Sequence, residues 1–268
     1  MAVLQLDEFK ARQRATWAAG DYSTCSPYIS EVGELVVARA GIMPGMRVLD
    51  VACGTGNAAR PAARAGALVT GLDLAPTLLE VGETQAKAEG LTIEWREGDA
   101  ENLPLADGSF DRVLSTFGHM FAPRHQQTAD QMARVCRRGG AIVTATWTPE
   151  GTVGELFKVS ASYMPPPPDY ASPPPLWGRE DHVRELFNGV ATGFAFERHV
   201  NRIEWESVDG FADFFMAHFP PMVTAKAMLA ERFSEMRERI VDIWKRRNDA
   251  TDGRLLLPQE YLISIVRL

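Results

Sequence analysis

The sequence predicts an α/β chain built on a doubly wound, mainly parallel sheet, and three observations carry that expectation. From Met46 to Trp147, strand-length apolar runs alternate with helix-length segments, an order that requires crossovers between parallel strands. Inside that stretch, Val48-Leu49-Asp50-Val51-Ala52-Cys53-Gly54-Thr55-Gly56 carries a strand directly into a glycine-rich turn. Two later runs, Leu68 to Asp73 and Thr92 to Glu97, end on or beside a carboxylate. Ligands of open parallel sheets bind at the carboxyl ends of the strands, where all these features fall.

The N-terminal part, residues 5 to 18 and 29 to 41, reads as two amphipathic helices, the second with Ile29, Val32, Leu35 and Val36 at helical spacing before Gly41 and Pro44 stop it. Then comes the glycine turn. Gly54 and Gly56 allow a sharp strand-to-helix reversal and a close approach of backbone amides to a ligand. A dinucleotide fingerprint opens on glycine, whereas here Asp50 precedes the turn, and an anion suits an ammonium better than a pyrophosphate. Asp73 ends the second strand where a carboxylate can take both hydroxyls of a ribose. Gly98-Asp99-Ala100-Glu101 follows the third strand and could read the amino edge of an adenine. The simpler alternative is that Asp50, Asp73 and Asp99 only cap turns, but three such coincidences in register would be needed.

Downstream come Leu103-Pro104-Leu105, Asp107-Gly108-Ser109-Phe110-Asp111, an apolar strand from Arg112 to Ser115, and Arg137-Arg138-Gly139-Gly140 before a strand from Ala141 to Ala145. The proline-rich segment from Met164 to Gly178 cannot be helix interior or central strand and is expected to form a stiff lid over the substrate. Arg179 to Phe187 reads as helix and Gly193 to Glu206 as strand. Phe211, Phe214, Phe215 and Phe219 form an aromatic stripe, expected to be core rather than substrate wall. Apolar residues from Met228 to Trp244 predict one long helix, with Lys245, Arg246 and Arg247 as a solvated cap; Glu260 to Arg267 predicts a last strand.

Taken in serial order, these motifs resemble the class I S-adenosylmethionine-dependent methyltransferases, in particular the small-molecule branch similar to the ubiquinone/menaquinone-biosynthesis methyltransferases. The resemblance is strong over residues 40 to 150 and departs from the family pattern at Ala52, where glycine is common, and at Arg138, where proline is common. It implies a seven-stranded Rossmann-like methyltransferase fold with a helical lid insertion and a last strand inserted antiparallel. The expected organisation is one domain over 1–268: an N-terminal helical cover (1–43), a cofactor-binding core (44–150), substrate-lid insertions around a late strand (151–250) and a final strand (259–268). The implied cofactor is S-adenosyl-L-methionine, held by Asp50, Ala52, Gly54, Gly56, Asn57, Asp73, Leu74, Asp99, Ala100, Glu101 and Thr116, with Tyr22 closing on its methionine end. Because the fourth strand's end faces the reacting methyl in this family, His119 is the candidate general base, assisted by Tyr28; alternatively His119 binds the cofactor or packs in the wall. His125 is expected to be structural, and His182 and His218 are weaker candidates.

Composition bounds the partners. A net charge of -7 argues against nucleic acid, whose binding rests on cationic contacts with phosphate. The three cysteines have no metal-type or redox-pair spacing, so a reducing compartment, a cytoplasmic location and no metal are expected. No run suits a signal peptide or a bilayer span, so no membrane partner is expected. The expected activity is in-line methylation of a small aromatic or heteroaromatic metabolite, indole- or phenol-like, in secondary metabolism, by an enzyme that could be a homodimer. Quinone-pathway C- or O-methylation is one alternative. A non-catalytic regulatory binding protein on a nucleotide fold is another. A nicotinamide oxidoreductase is disfavoured by Asp50 and by Ala59 in the third glycine's place.

Overall fold

The computed structural model describes residues 2–268, with side chains from Gln5 onward. The chain opens with helices α1 (Ala2–Ala18), α2 (Tyr22–Cys25) and α3 (Ser30–Ala40). The sheet region then runs β1 (Arg47–Val51), α4 (Ala59–Arg64), β2 (Leu68–Asp73), α5 (Pro76–Ala88), β3 (Ile93–Glu97), β4 (Phe110–Thr116), α6 (His125–Val135) and β5 (Cys136–Trp147). Beyond it lie α7 (Thr152–Tyr163), α8 (Glu180–Leu186), β6 (Gly193–Trp205), α9 (Val208–His218), α10 (Pro220–Leu229), α11 (Arg232–Arg247) and β7 (Leu255–Arg267).

One seven-stranded sheet has the order β3-β2-β1-β4-β5-β7-β6. The first five strands are parallel, and β7 inserts antiparallel between β5 and β6. The doubly wound expectation is borne out. Central β1 and β4 carry near-continuous apolar runs, with Val48, Leu49, Val51, Val113 and Leu114 fully buried, as a strand covered by helices on both faces requires. Strand order reverses between β1 and β4, so the loops after these strands diverge and leave a crevice at the glycine turn.

A second apolar core lies among α7, α9, α10, α11 and the β6–β7 ribbon, around Phe211, Met236, Ile240, Trp244 and Leu257. α11 explains its own burial: Phe233, Met236, Ile240, Val241, Ile243 and Trp244 share one face at three-and-four spacing. The single helix expected from Met228 is two, because Ala230 turns to φ 48° between α10 and α11. The basic triplet is not merely solvated, since Arg246 and Arg247 pair with Glu155 of α7. β7 begins at Leu255, five residues before the expected Glu260, because β6 offers it a partner along its whole length. Among the described residues, no helix is long and apolar enough to cross a membrane, and no group of His, Cys, Asp and Glu is placed to hold a metal.

Candidate active site

Two cavities adjoin at the carboxyl edge of the sheet. The first, about 100 Å³, lies over the glycine turn between β1 and α4. Asp73 organises it: one carboxylate oxygen accepts the Gly54 amide at 2.8 Å and the other the Ala75 amide at 2.8 Å. The turns after β1 and β2 are thus tied to one side chain that itself lines the cavity. Burial raises the Asp73 pKa, against the lowering effect of the Ala75, Gly54 and Leu74 amides. Gly54 takes φ +55°, and a Cβ there would meet only the Tyr22 ring at 3.4 Å. Ala52, Leu74, Asp99, Ala100, Asn57 and Thr116 also line this space. Asn57 anchors through its amide to the Ser26 carbonyl at 3.0 Å, while its Oδ1 and the Thr116 hydroxyl have no partner among the described residues.

Three expected cofactor contacts are elsewhere. Asp50 does not line the cavity; it is buried beneath the turn, accepting the Ala59 amide at 2.9 Å with its other oxygen unpaired, and burial pushes its pKa up to about 8. Its position makes it an anchor for the start of α4. Gly56 does not line the cavity either: its backbone is at φ +87°, and a Cβ would lie 2.7 Å from the Trp95 ring, so glycine here admits an indole. Glu101 is sealed under the floor, paired with Lys10 at 2.6 Å and Arg124 at 2.9 Å. Lys10 reaches Asp99 as well, at 2.5 Å, so α1 closes that rim of the cavity through a charge cluster.

The second cavity, about 190 Å³, lies between the sheet edge, α7 and the α9–α11 helices. Trp17, Tyr22, Phe117 and Phe121 line both cavities and form an aromatic collar where they meet. Trp17 sets the collar edge-on against Tyr22 and Phe121, with ring centroids 5.6 and 4.9 Å apart. Phe117, at the unusual φ of 61°, stacks on Trp147 at 3.8 Å. The aromatic stripe is core, as expected, and cavity wall as well: Phe211 is buried in the second core with Phe214, Phe215 and Phe219 packed against it, and all four line this cavity. Burial raises the Tyr22 phenol and pushes Cys25 up to about 12, so both are neutral.

Neither expected catalytic residue faces the collar. His119 is fully buried behind β4, edge-on to Trp177 with ring centroids 4.6 Å apart and 3.3 Å from the Thr146 hydroxyl; it lines neither cavity. Burial, with His125 nearby, pushes its pKa down to about 3. Tyr28 lies on the outer wall of the second cavity, packed on Trp205 and Phe214 at 5.5 Å each, with no hydrogen bond to His119. His125 pairs with His182 at 3.0 Å outside both cavities, and His218 packs tilted against Phe214, with ring centroids 5.0 Å apart. None of the proline-rich segment, expected to be a lid, lines either of these cavities, and its Trp177 is fully buried against His119.

Lys10, Gln13, Trp17, Phe117 and Phe121 are site residues that the motifs did not indicate. The spacing of Lys10, Gln13 and Trp17 places them on one face of α1, which was the available signal. Phe117 and Phe121 became wall through a backbone turn after β4 that no local pattern announces.

The methyltransferase domain family matches residues 48–140, the stretch from β1 into the first residues of β5. An uncharacterized protein of Mycobacterium tuberculosis is 44% identical over 220 residues, 81% of this chain and 80% of that one. The chain is a methyltransferase-domain protein. A demethylmenaquinone methyltransferase of Renibacterium salmoninarum is 38% identical over 130 residues, 48% of this methyltransferase and 53% of that protein. In fold, a geranyl diphosphate methyltransferase solved with S-adenosylmethionine aligns at TM-score 0.53 and 17% identity, covering 89% of this chain and 85% of that one. The first cavity of the methyltransferase fits the donor chemically. It joins a buried carboxylate to apolar side chains from Leu72, Leu74 and Leu78, and to the unpaired polar atoms of Asn57 and Thr116.

Proposed function

We propose that this methyltransferase transfers the methyl group of S-adenosylmethionine to a small aromatic or heteroaromatic acceptor seated in the second cavity. The observation that carries the reading is the pair of cavities sharing one aromatic collar, the second walled by aromatic side chains without a single Asp, Glu, His, Lys or Arg. Such a wall favours flat apolar rings by area and by edge and face contacts.

The donor supplies a methyl made electrophilic by its sulfonium. The chain's own residues bind, orient and keep water out. Asp73 would take the ribose hydroxyls, Leu74 and Ala100 the adenine, and the Gly54 turn with Asn57, Thr116 and Tyr22 the methionine end. Trp17, Tyr22, Phe117 and Phe121 would hold the acceptor in line and dry. No residue is assigned the role of general base, because His119 lies behind the wall. Lys10 and Asp99 close the rim against each other.

Quinone-type acceptors are a second reading, favoured by the demethylmenaquinone methyltransferase of Renibacterium salmoninarum, whose likeness covers about half of each chain. The test is incubation with S-adenosylmethionine and a panel of phenols, hydroxyindoles, a prenylated naphthoquinol, aliphatic amines and carboxylates. The demethylated donor and the methylated product would be detected by mass spectrometry. Turnover confined to ring acceptors is expected, with the naphthoquinol deciding between the two readings. Turnover confined to aliphatic amines or carboxylates would sink both.

A further inference from the structure

Most polar groups on the wall of the second cavity are ambivalent or already engaged. The hydroxyls of Tyr22, Tyr28 and Ser160 can turn to donate or to accept, and the Thr152 hydroxyl donates to the Pro258 carbonyl at 2.6 Å. Gln259, half-buried on β7 beside that carbonyl, is different. Asn201 lies opposite it on β6, and the Asn201 Nδ2 donates to the Tyr28 backbone carbonyl at 3.2 Å and to Gln259 Oε1 at 3.0 Å. A backbone carbonyl can only accept, so it fixes which end of the Asn201 amide faces it. The same nitrogen then requires an oxygen from Gln259. Gln259 Oε1 is thereby engaged, and its Nε2, which donates to no described residue, is left as a donor whose sense the relay sets. Ser160 stands two turns beyond Thr152 on α7, about 12 Å along the axis, and so serves another part of the cavity.

We infer that Gln259 is a specificity-determining residue, selecting neutral ring acceptors that carry a hydrogen-bond-accepting oxygen, a carbonyl or methoxy group, away from the atom that is methylated. This rests on the aromatic-acceptor reading and narrows it. Gln259 lines only the second cavity and takes no part in the collar, so the group it reads lies on the far side of the ring from the methyl. A substituent with an available lone pair takes the Nε2 hydrogen. A ring N–H in the same place meets a donor and loses its hydrogen bond to water without replacement. A hydrocarbon edge leaves the amide unpaired. The aromatic wall supplies contact area, and this one oriented amide sets which edge of the ring is turned toward it. Asn201 is a positioning residue: it lines neither cavity and acts by holding the amide of Gln259 in one sense.

The test uses three bicycles of one shape bound to the full chain loaded with S-adenosylhomocysteine, which has no methyl to transfer. Tetralone offers a carbonyl, tetrahydroquinoline a ring N–H, and tetralin neither. Dissociation constants are read from the fluorescence of the tryptophans that line the cavity. Ratios taken against tetralin within each variant cancel any general loss of packing or of folded protein. Gln259→Leu should lower the preference for tetralone over tetralin by about fivefold relative to the parent. Asn201→Asp replaces the amide nitrogen facing Gln259 by an oxygen, so the Gln259 amide should turn its own oxygen to the cavity. Preference for tetralone should then fall and preference for tetrahydroquinoline rise, a reversal that a merely structural role for Asn201 would not produce. Parental ratios in either variant would overturn the inference and leave the aromatic-acceptor reading standing. Failure of all three bicycles to bind the parent, with S-adenosylhomocysteine bound, would overturn both.

Discussion

Asp73 organises the proposed cofactor site, because its two oxygens fasten the tips of two loops and still border the cavity. Asp73→Asn keeps the shape but replaces one acceptor oxygen by a donor facing a backbone amide. Hydrogen bonds to charged groups contribute about 1.5–3 kcal/mol. S-adenosylmethionine binding by calorimetry should therefore weaken by about tenfold or more, and unchanged affinity would remove Asp73 from the site. His119 gives the opposite case. It lies outside both cavities, so His119→Asn should lower stability while leaving kcat at pH 7 within about threefold of the parent. A loss of orders of magnitude in kcat with the fold intact would restore it to the chemistry.

Helices α1, α2 and α3 bring their own chemistry to the sheet edge. α3 presses so closely on the glycine turn that a Cβ at Gly33 would lie 2.0 Å from the Asn57 carbonyl oxygen. Overpacking of this kind costs about 1–3 kcal/mol even where the backbone can yield. Gly33→Ala should thus reduce both thermal stability and donor affinity, since the turn that must move carries Asn57; a variant with lowered Tm and parental affinity would separate the two. α1 contributes Trp17 to the collar and Lys10 to the rim, and the backbone amide of Asp21 donates to the His218 carbonyl at 3.1 Å, latching the α1–α2 connection to α9. Donor binding should slow amide hydrogen exchange in α1 and α2, and exchange unaffected by donor would mean that these helices do not close the site.

The whole molecule carries buried ionisable groups whose effects on stability oppose one another. His119 and His125 are pushed down to about 3 by burial, each with a neighbouring histidine adding to the effect. Their contribution to stability is complete above the unfolded-chain value near 6.5 and is lost as pH falls toward 3. Asp50, raised to about 8 by burial, acts in the other sense, its contribution being present at low pH and lost as pH rises through that value. Direct comparison of wild-type stability at two pH values mixes these. The difference between wild type and His119→Asn isolates one histidine. Measured by urea unfolding, that difference should shrink by about 1 kcal/mol between pH 7 and pH 5.5. A constant difference would mean that His119 is not held neutral by burial.

The alternation from Met46 to Trp147 and the strand-end motifs determined the parallel sheet, its switch point and the crevice at the glycine turn, because crossover connections and glycine turns are local in sequence and leave few topologies open. They did not determine which carboxylates face the ligand: Asp50 and Asp73 both border the turn, yet one lies beneath it and the other lines the cavity, a difference set by the packing of α4 and α5. The second cavity was legible in composition but not in role. An aromatic stripe on an amphipathic helix has the same spacing whether it fills a core or walls a cavity, and only the arrangement of α7 and α9–α11 leaves the space in front of Phe211, Phe214, Phe215 and Phe219 empty. His119 followed the same rule. The strand end fixed its position in the chain, and the Phe117 turn with the Trp177 plug decided that it faces away from the chemistry.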